Sequence, residues 1–131
     1  MRDTQSVTEE LLDVCDEGPA SDEFVRGLLT RVGDKWSILT LRTLGEKPLR
    51  FTELQHAIPG ISHRMMSVTL RALVADGLVH RESFGGMPPR VEYSLTPLGE
   101  TLLRPMRAFV AWANEHSDEI QRNRTQATWR L

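Results

Sequence analysis

Four polar side chains in the segment 63–71, His63, Arg64, Ser67 and Arg71, follow one another at steps of one, three and four residues. That spacing gathers side chains on one face of a helix. A guanidinium offers a rigid fork of donors that grips a carboxylate, a phosphate or the edge of a guanine, and a serine hydroxyl bonds a base or a phosphate. Val68 lies among them, on the side that can face base edges. Arg50, Arg81 and Arg90 stand apart in the sequence and suit single contacts to phosphate. Arg81 and Arg90 have a competing use, because Glu82 and Glu92 are close enough in sequence to pair with them.

Catalytic chemistry has no comparable set. The sequence contains no paired carboxylates, no nucleophile elbow and no phosphate-cradling glycine loop, since Gly85-Gly86 is not followed by the helix that anion binding needs. His56, His63, His80 and His116 show no metal-ligand spacing with each other or with Cys15, so neither a metal nor another cofactor is expected, and the chain reads as a binding protein rather than an enzyme. Cys15 is the single cysteine and permits no intrachain disulfide. Asp13, Asp16 and Glu17 surround it with negative charge that disfavours the reactive thiolate, which weighs against a redox site at this position.

The chain has 131 residues, 40% of them hydrophobic and 26% charged, which fits one soluble domain and leaves little room for a second. No apolar run approaches the roughly 20 residues needed to span a bilayer. The N-terminus carries acids where an export signal carries basic residues, so a cytoplasmic protein with no membrane partner is expected. The formal net charge of −2 hides an asymmetry: residues 1–23 hold eight acids against Arg2, whereas residues 24–107 hold twelve Lys and Arg against seven acids. A mildly basic middle fits phosphate binding, and a solvated charged surface has the same composition.

Apolar periodicity divides the chain into an arm at 1–21, a domain at 22–121 and a frayed tail at 122–131. Phe24, Val25, Leu28, Leu29 and Val32 mark a first core helix that closes at Gly33; Asp34 caps a second, with Trp36, Leu39, Thr40 and Thr43 or Leu44 on one face. Thr52 and Gln55 are placed to form a capping box for a short third helix ending at Pro59-Gly60. Ser62 caps a fourth, in which Met66, Leu70, Leu73 and Val74 recur at helical spacing before Gly77 stops it. The period then changes: 78–84 and 90–96 are compatible with strands around the loop 85–89. Thr96-Pro97 opens a last helix whose apolar residues run from Leu98 to Ile120, with a kink expected near Leu102 because Pro105 removes a helical hydrogen bond. The expected fold is mainly α with a small β-hairpin, a winged helix-turn-helix with an N-terminal extension and a C-terminal dimerisation helix.

The ordered set Gly33-Asp34-Lys35-Trp36, Leu49-Arg50-Phe51-Thr52-Glu53-Leu54, Gly60-Ile61-Ser62, Leu70-Arg71-Ala72-Leu73, Asp76-Gly77-Leu78-Val79, Pro88-Pro89-Arg90-Val91-Glu92-Tyr93-Ser94-Leu95-Thr96, Gly99 and Trp112 resembles the HxlR family. The resemblance spans roughly residues 24–116 and implies a bacterial, dimeric, DNA-binding regulator of transcription. It departs from the family at Cys15, which stands twenty residues before Lys35 and is followed by Asp16 rather than Pro.

Together these readings give a double-stranded DNA partner with a pseudo-palindromic operator. Arg50, Thr52, Ser62, His63, Arg64, Ser67, Val68, Arg71, Arg81 and Arg90 form its contact set. A two-fold seam is expected at Leu102, Met106, Phe109, Val110 and Ala113, along with the first helix. Two alternatives remain: a winged-helix module that binds protein without DNA, and a regulator gated by an unidentified small molecule or by thiol oxidation.

Overall fold

The computed structural model describes residues 21–128, so all of the arm but Ser21, Cys15 included, lies outside the described residues. Five helices and one hairpin follow in the order α1 (Asp22–Gly33), α2 (Lys35–Leu44), α3 (Phe51–Ala57), α4 (His63–Ala75), β1 (Val79–Ser83), β2 (Val91–Leu95) and α5 (Pro97–Thr128). This is the winged helix-turn-helix arrangement. The strands are antiparallel, with Val79 opposite Leu95 and Arg81 opposite Tyr93, and Leu49 adds an isolated bridge to Tyr93.

Local chemistry accounts for most of the boundaries. Ser21, Asp34 and Ser62 each accept the backbone N–H three residues on, capping α1, α2 and α4. At the end of α4, Leu78 N–H bonds the Leu73 carbonyl and Gly77 N–H bonds that of Val74, the paired pattern of a Schellman turn. It requires a left-handed residue, and Gly77 supplies φ 76°.

The core gathers α2, α3, α4, the start of β1 and the first turns of α5 around Leu41, Leu54, Ile58, Met66, Leu70, Leu73, Val79, Leu103 and Met106, all buried. Each large apolar side chain so buried contributes roughly 1.5–3 kcal/mol. Trp36 is half-buried against this cluster, in keeping with a packing role.

Several boundaries and faces differ from the sequence reading. Helix α3 starts at Phe51, so Thr52 is inside its first turn; the cap comes from Glu53, whose carboxylate accepts Arg50 N–H at 2.9 Å. The buried face of α2 centres on Ser37, Thr40, Leu41 and Leu44, with Trp36 and Leu39 only half-buried. Helix α1 buries none of its residues: Phe24, Leu28 and Leu29 are exposed because nothing among the described residues lies over them. Helix α5 continues past residue 121 to Thr128, since residues 121–128 contain neither Gly nor Pro to stop it.

Candidate nucleic-acid interface

Helix α4 is amphipathic, and its two sides have separate fates. Met66, Thr69, Leu70 and Leu73 point into the core. His63, Arg64, Val68 and Arg71 are exposed, and Ser67 is half-buried between them. Ser62 fixes the start of the helix: its hydroxyl accepts Met65 N–H at 3.0 Å and its carbonyl accepts Met66 N–H at 2.9 Å. The His63 ring packs on Phe51, with centroids 4.7 Å apart, tying the first turn of α4 to α3. Arg64, one residue on, extends from this anchored turn.

Further along the same side, Arg71 Nη2 donates to Ser67 Oγ at 3.4 Å. Ser67, Leu70, Arg71 and Val74 of α4, with Arg81 and Tyr93 of the hairpin, line a groove of about 210 Å³. The fold therefore brings Ser67, Arg71 and Arg81 to one place although the sequence separates them by up to fourteen positions. Two arginines in the lining, with no acid among the lining residues, make this groove attractive to phosphate.

The remaining predicted residues sit apart. Arg90 is held by Glu92 at 2.7 Å and lies over the Phe84 ring at 5.7 Å, so much of its charge is engaged within the hairpin. Of its two expected uses, phosphate contact and pairing with a neighbouring acid, the second is realised here. Arg50 is the N-cap residue of α3, while Thr52 lines a separate shallow depression with Gln55, His56 and Ile61. At the loop tip Met87 is 98% exposed.

The expected seam divides in two. Met106 is buried in the chain's own core and Leu102 packs on the same cluster, because the first turns of α5 cover α2 and β2; Met106 is thus a core residue rather than a surface one. Phe109 and Val110, by contrast, are exposed and Ala113 is half-buried. Trp112 stacks between Phe109 and His116, with ring centroids 6.3 and 5.0 Å away, extending an uncovered aromatic ridge along α5.

Sequence reasoning missed a long-range ion pair. Arg31 Nε of α1 donates to Asp76 Oδ2 at 2.8 Å, across forty-five residues of chain, and no local pattern signals such a pair. The described residues include no helix long and apolar enough to cross a membrane.

Comparison with known proteins agrees with this geometry. The family model of HxlR-like helix-turn-helix proteins matches residues 31–121. The uncharacterized HTH-type transcriptional regulator YtfH of Escherichia coli is 38% identical over 95 residues, covering 72% of this chain and 75% of YtfH. Among solved structures, the redox regulator HypR in its reduced form superposes with a TM-score of 0.68 at 36% identity, covering 74% of this chain and 96% of HypR. The reduced form of the transcriptional regulator YodB from Bacillus subtilis gives 0.65 at 28% identity, covering 73% and 93%.

Proposed function

The chain belongs to the HxlR-like helix-turn-helix family and is a transcriptional regulator of the winged-helix type, and from that premise we propose that it binds double-stranded DNA as a homodimer. Helix α4 enters the major groove, whose width of about 12 Å admits a helix. Arg64, Ser67, Val68 and Arg71 meet base edges there, and His63 and Ser62 approach the backbone at the helix start. Arg81 binds phosphate on the flanking strand, Arg90 adds a weaker interaction of the same kind, and Arg50 and Thr52 reach the backbone from α3.

The observation that carries this reading is the groove shared by Ser67, Arg71 and Arg81, which joins the exposed side of α4 to the hairpin in one basic surface. A single helix reads too few base pairs for tight specificity, so a second copy doubles the site into two half-sites. The exposed apolar faces of α1 and α5, with Phe24, Leu29, Phe109 and Val110 at their centres, suit an isologous seam.

Thiol gating has support from the likeness to HypR and to YodB, and Cys15 with its acidic neighbours argues against it.

The test is a salt titration on a duplex that the purified protein selects from a random-sequence library. The logarithm of affinity should fall linearly with the logarithm of salt concentration, and Arg81→Ala should lower the slope by about 0.9 for each phosphate that is no longer neutralised. Arg90→Ala should lower it less, since Glu92 already holds that guanidinium. A library that yields no enriched duplex, or a slope near zero, contradicts DNA binding and favours a protein partner.

A further inference from the structure

The turn that ends α4 is a junction of three helices. Asp76 is the C-cap of α4, and its carboxylate receives Arg31 from the last turn of α1. One residue on, the Gly77 carbonyl accepts the Thr96 hydroxyl at 2.7 Å, and that same hydroxyl oxygen accepts Gly99 N–H at 3.0 Å, capping the first turn of α5. Thr96 N–H then bonds the Leu78 carbonyl at 3.1 Å. Gly99 allows this approach: a Cβ at that position would collide with the Leu78 carbonyl oxygen and the Leu95 side chain. Helices α1 and α5, which carry the exposed apolar faces, are thus each tethered to the same end of α4.

The acid in this junction opposes the stability of its own helix. A negative charge at a helix C-terminus meets the negative end of the macrodipole, and α4 has no basic residue in its last turn to offset it. Asp76 is therefore explained by what it holds, namely Arg31, rather than by what it gives α4. Both side chains are about one-third exposed, so the pair is partly screened and its effect is modest.

We propose that Arg31 and Asp76 are positioning residues that set the angle of α4 relative to the dimer helices, and through it the distance between half-sites that the dimer accepts. This rests on the DNA-binding dimer proposed above. The bond holds α4 to α1 while the hydrogen bond from Thr96 to Gly77 holds it to α5. Removing the first leaves α4 anchored to the seam through α5 and the core alone, and free to settle at neighbouring spacings.

The experiment compares wild type, Arg31→Gln, Asp76→Asn and the reciprocal Arg31→Asp with Asp76→Arg on the library-selected duplex. The same duplex is also used with its half-sites moved one or two base pairs closer or farther apart. Wild type should discriminate sharply between spacings, and each single variant should narrow that discrimination by about threefold. Preference for each base within a half-site should stay as in wild type, and the reciprocal variant should recover spacing discrimination. Asp76→Asn should melt no lower than wild type, because it removes the charge that α4 disfavours. Unchanged spacing discrimination in both single variants, a joint loss of base preference, or a reciprocal variant that fails to recover would each overturn the proposal. A wild-type protein that selects no paired half-sites instead removes the dimeric reading on which it rests.

Discussion

Helices α4 and α5 carry apolar stripes of the same period, yet the described residues cover the first along its length and the second only in its opening turns. Met66, Leu70 and Leu73 of α4 are buried almost completely, whereas Phe109, Val110 and Trp112 of α5 remain about half or more exposed a few residues beyond the buried Met106. An apolar stripe states that something must lie over it; it does not state whether that cover is the same chain or another. On α4 the cover is intrachain, which leaves the opposite side polar and available. On α5 beyond Met106 no part of the described chain supplies one, and a second copy does so in the proposed dimer.

The largest effect should come from the covered stripe. Leu73→Ala empties a fully buried site, and a cavity there should cost about 2–5 kcal/mol of folding stability. Thermal unfolding followed by circular dichroism should show a melting temperature lower by roughly 10 °C or more. A smaller change, near that of an exposed residue, would mean that the side of α4 assigned to the core is mispositioned.

The uncovered stripe should respond differently. Phe109→Glu with Val110→Glu places charge where the proposed seam would bury it unpaired, weakening the dimer by about a hundredfold or more while leaving each chain folded. Sedimentation should then find monomer at concentrations where wild type is dimeric, with unchanged helical signal. A folded dimer in this variant would move the seam away from α5.

No change at all is expected from Cys15→Ser. Operator affinity before and after treatment with diamide should match that of wild type, because the acids at 13, 16 and 17 disfavour thiolate. A loss of affinity with diamide in wild type that the variant escapes would instead make the thiol a sensor.

The contrast between the two stripes also explains what the sequence could reveal. The fold was legible because its punctuation is local: Ser62 and Asp34 cap, Gly77 closes, and Thr96-Pro97 opens the last helix. The outward side of α4 was legible for the same reason, since periodicity that turns Met66 and Leu70 inward turns Arg64 and Arg71 outward. Cover was not legible. Phe24 and Leu29 have the spacing of a core face and are exposed, while Met106 has the spacing of the seam and is core, because periodicity carries no information about which neighbour arrives. Placements of distant segments were equally hidden, among them the bond of Arg31 to Asp76 and the groove that Arg81 and Arg71 both line. The cap at Arg50 was missed narrowly: Glu53 was the local signal, three residues beyond the true N-cap.

In the proposed complex the outward side of α4 reads bases while the hairpin grips the backbone. This division of labour is separated by measuring Arg64→Ala and Arg81→Ala against the selected duplex and a panel carrying every single-base change. Arg64→Ala should erase preference at one position of each half-site, a loss of about 1–3 kcal/mol in discrimination there and little elsewhere. Arg81→Ala should weaken every duplex by the same factor. If instead Arg64→Ala lowers all affinities alike while Arg81→Ala alters the preferred base, the hairpin reads sequence and α4 only holds the backbone.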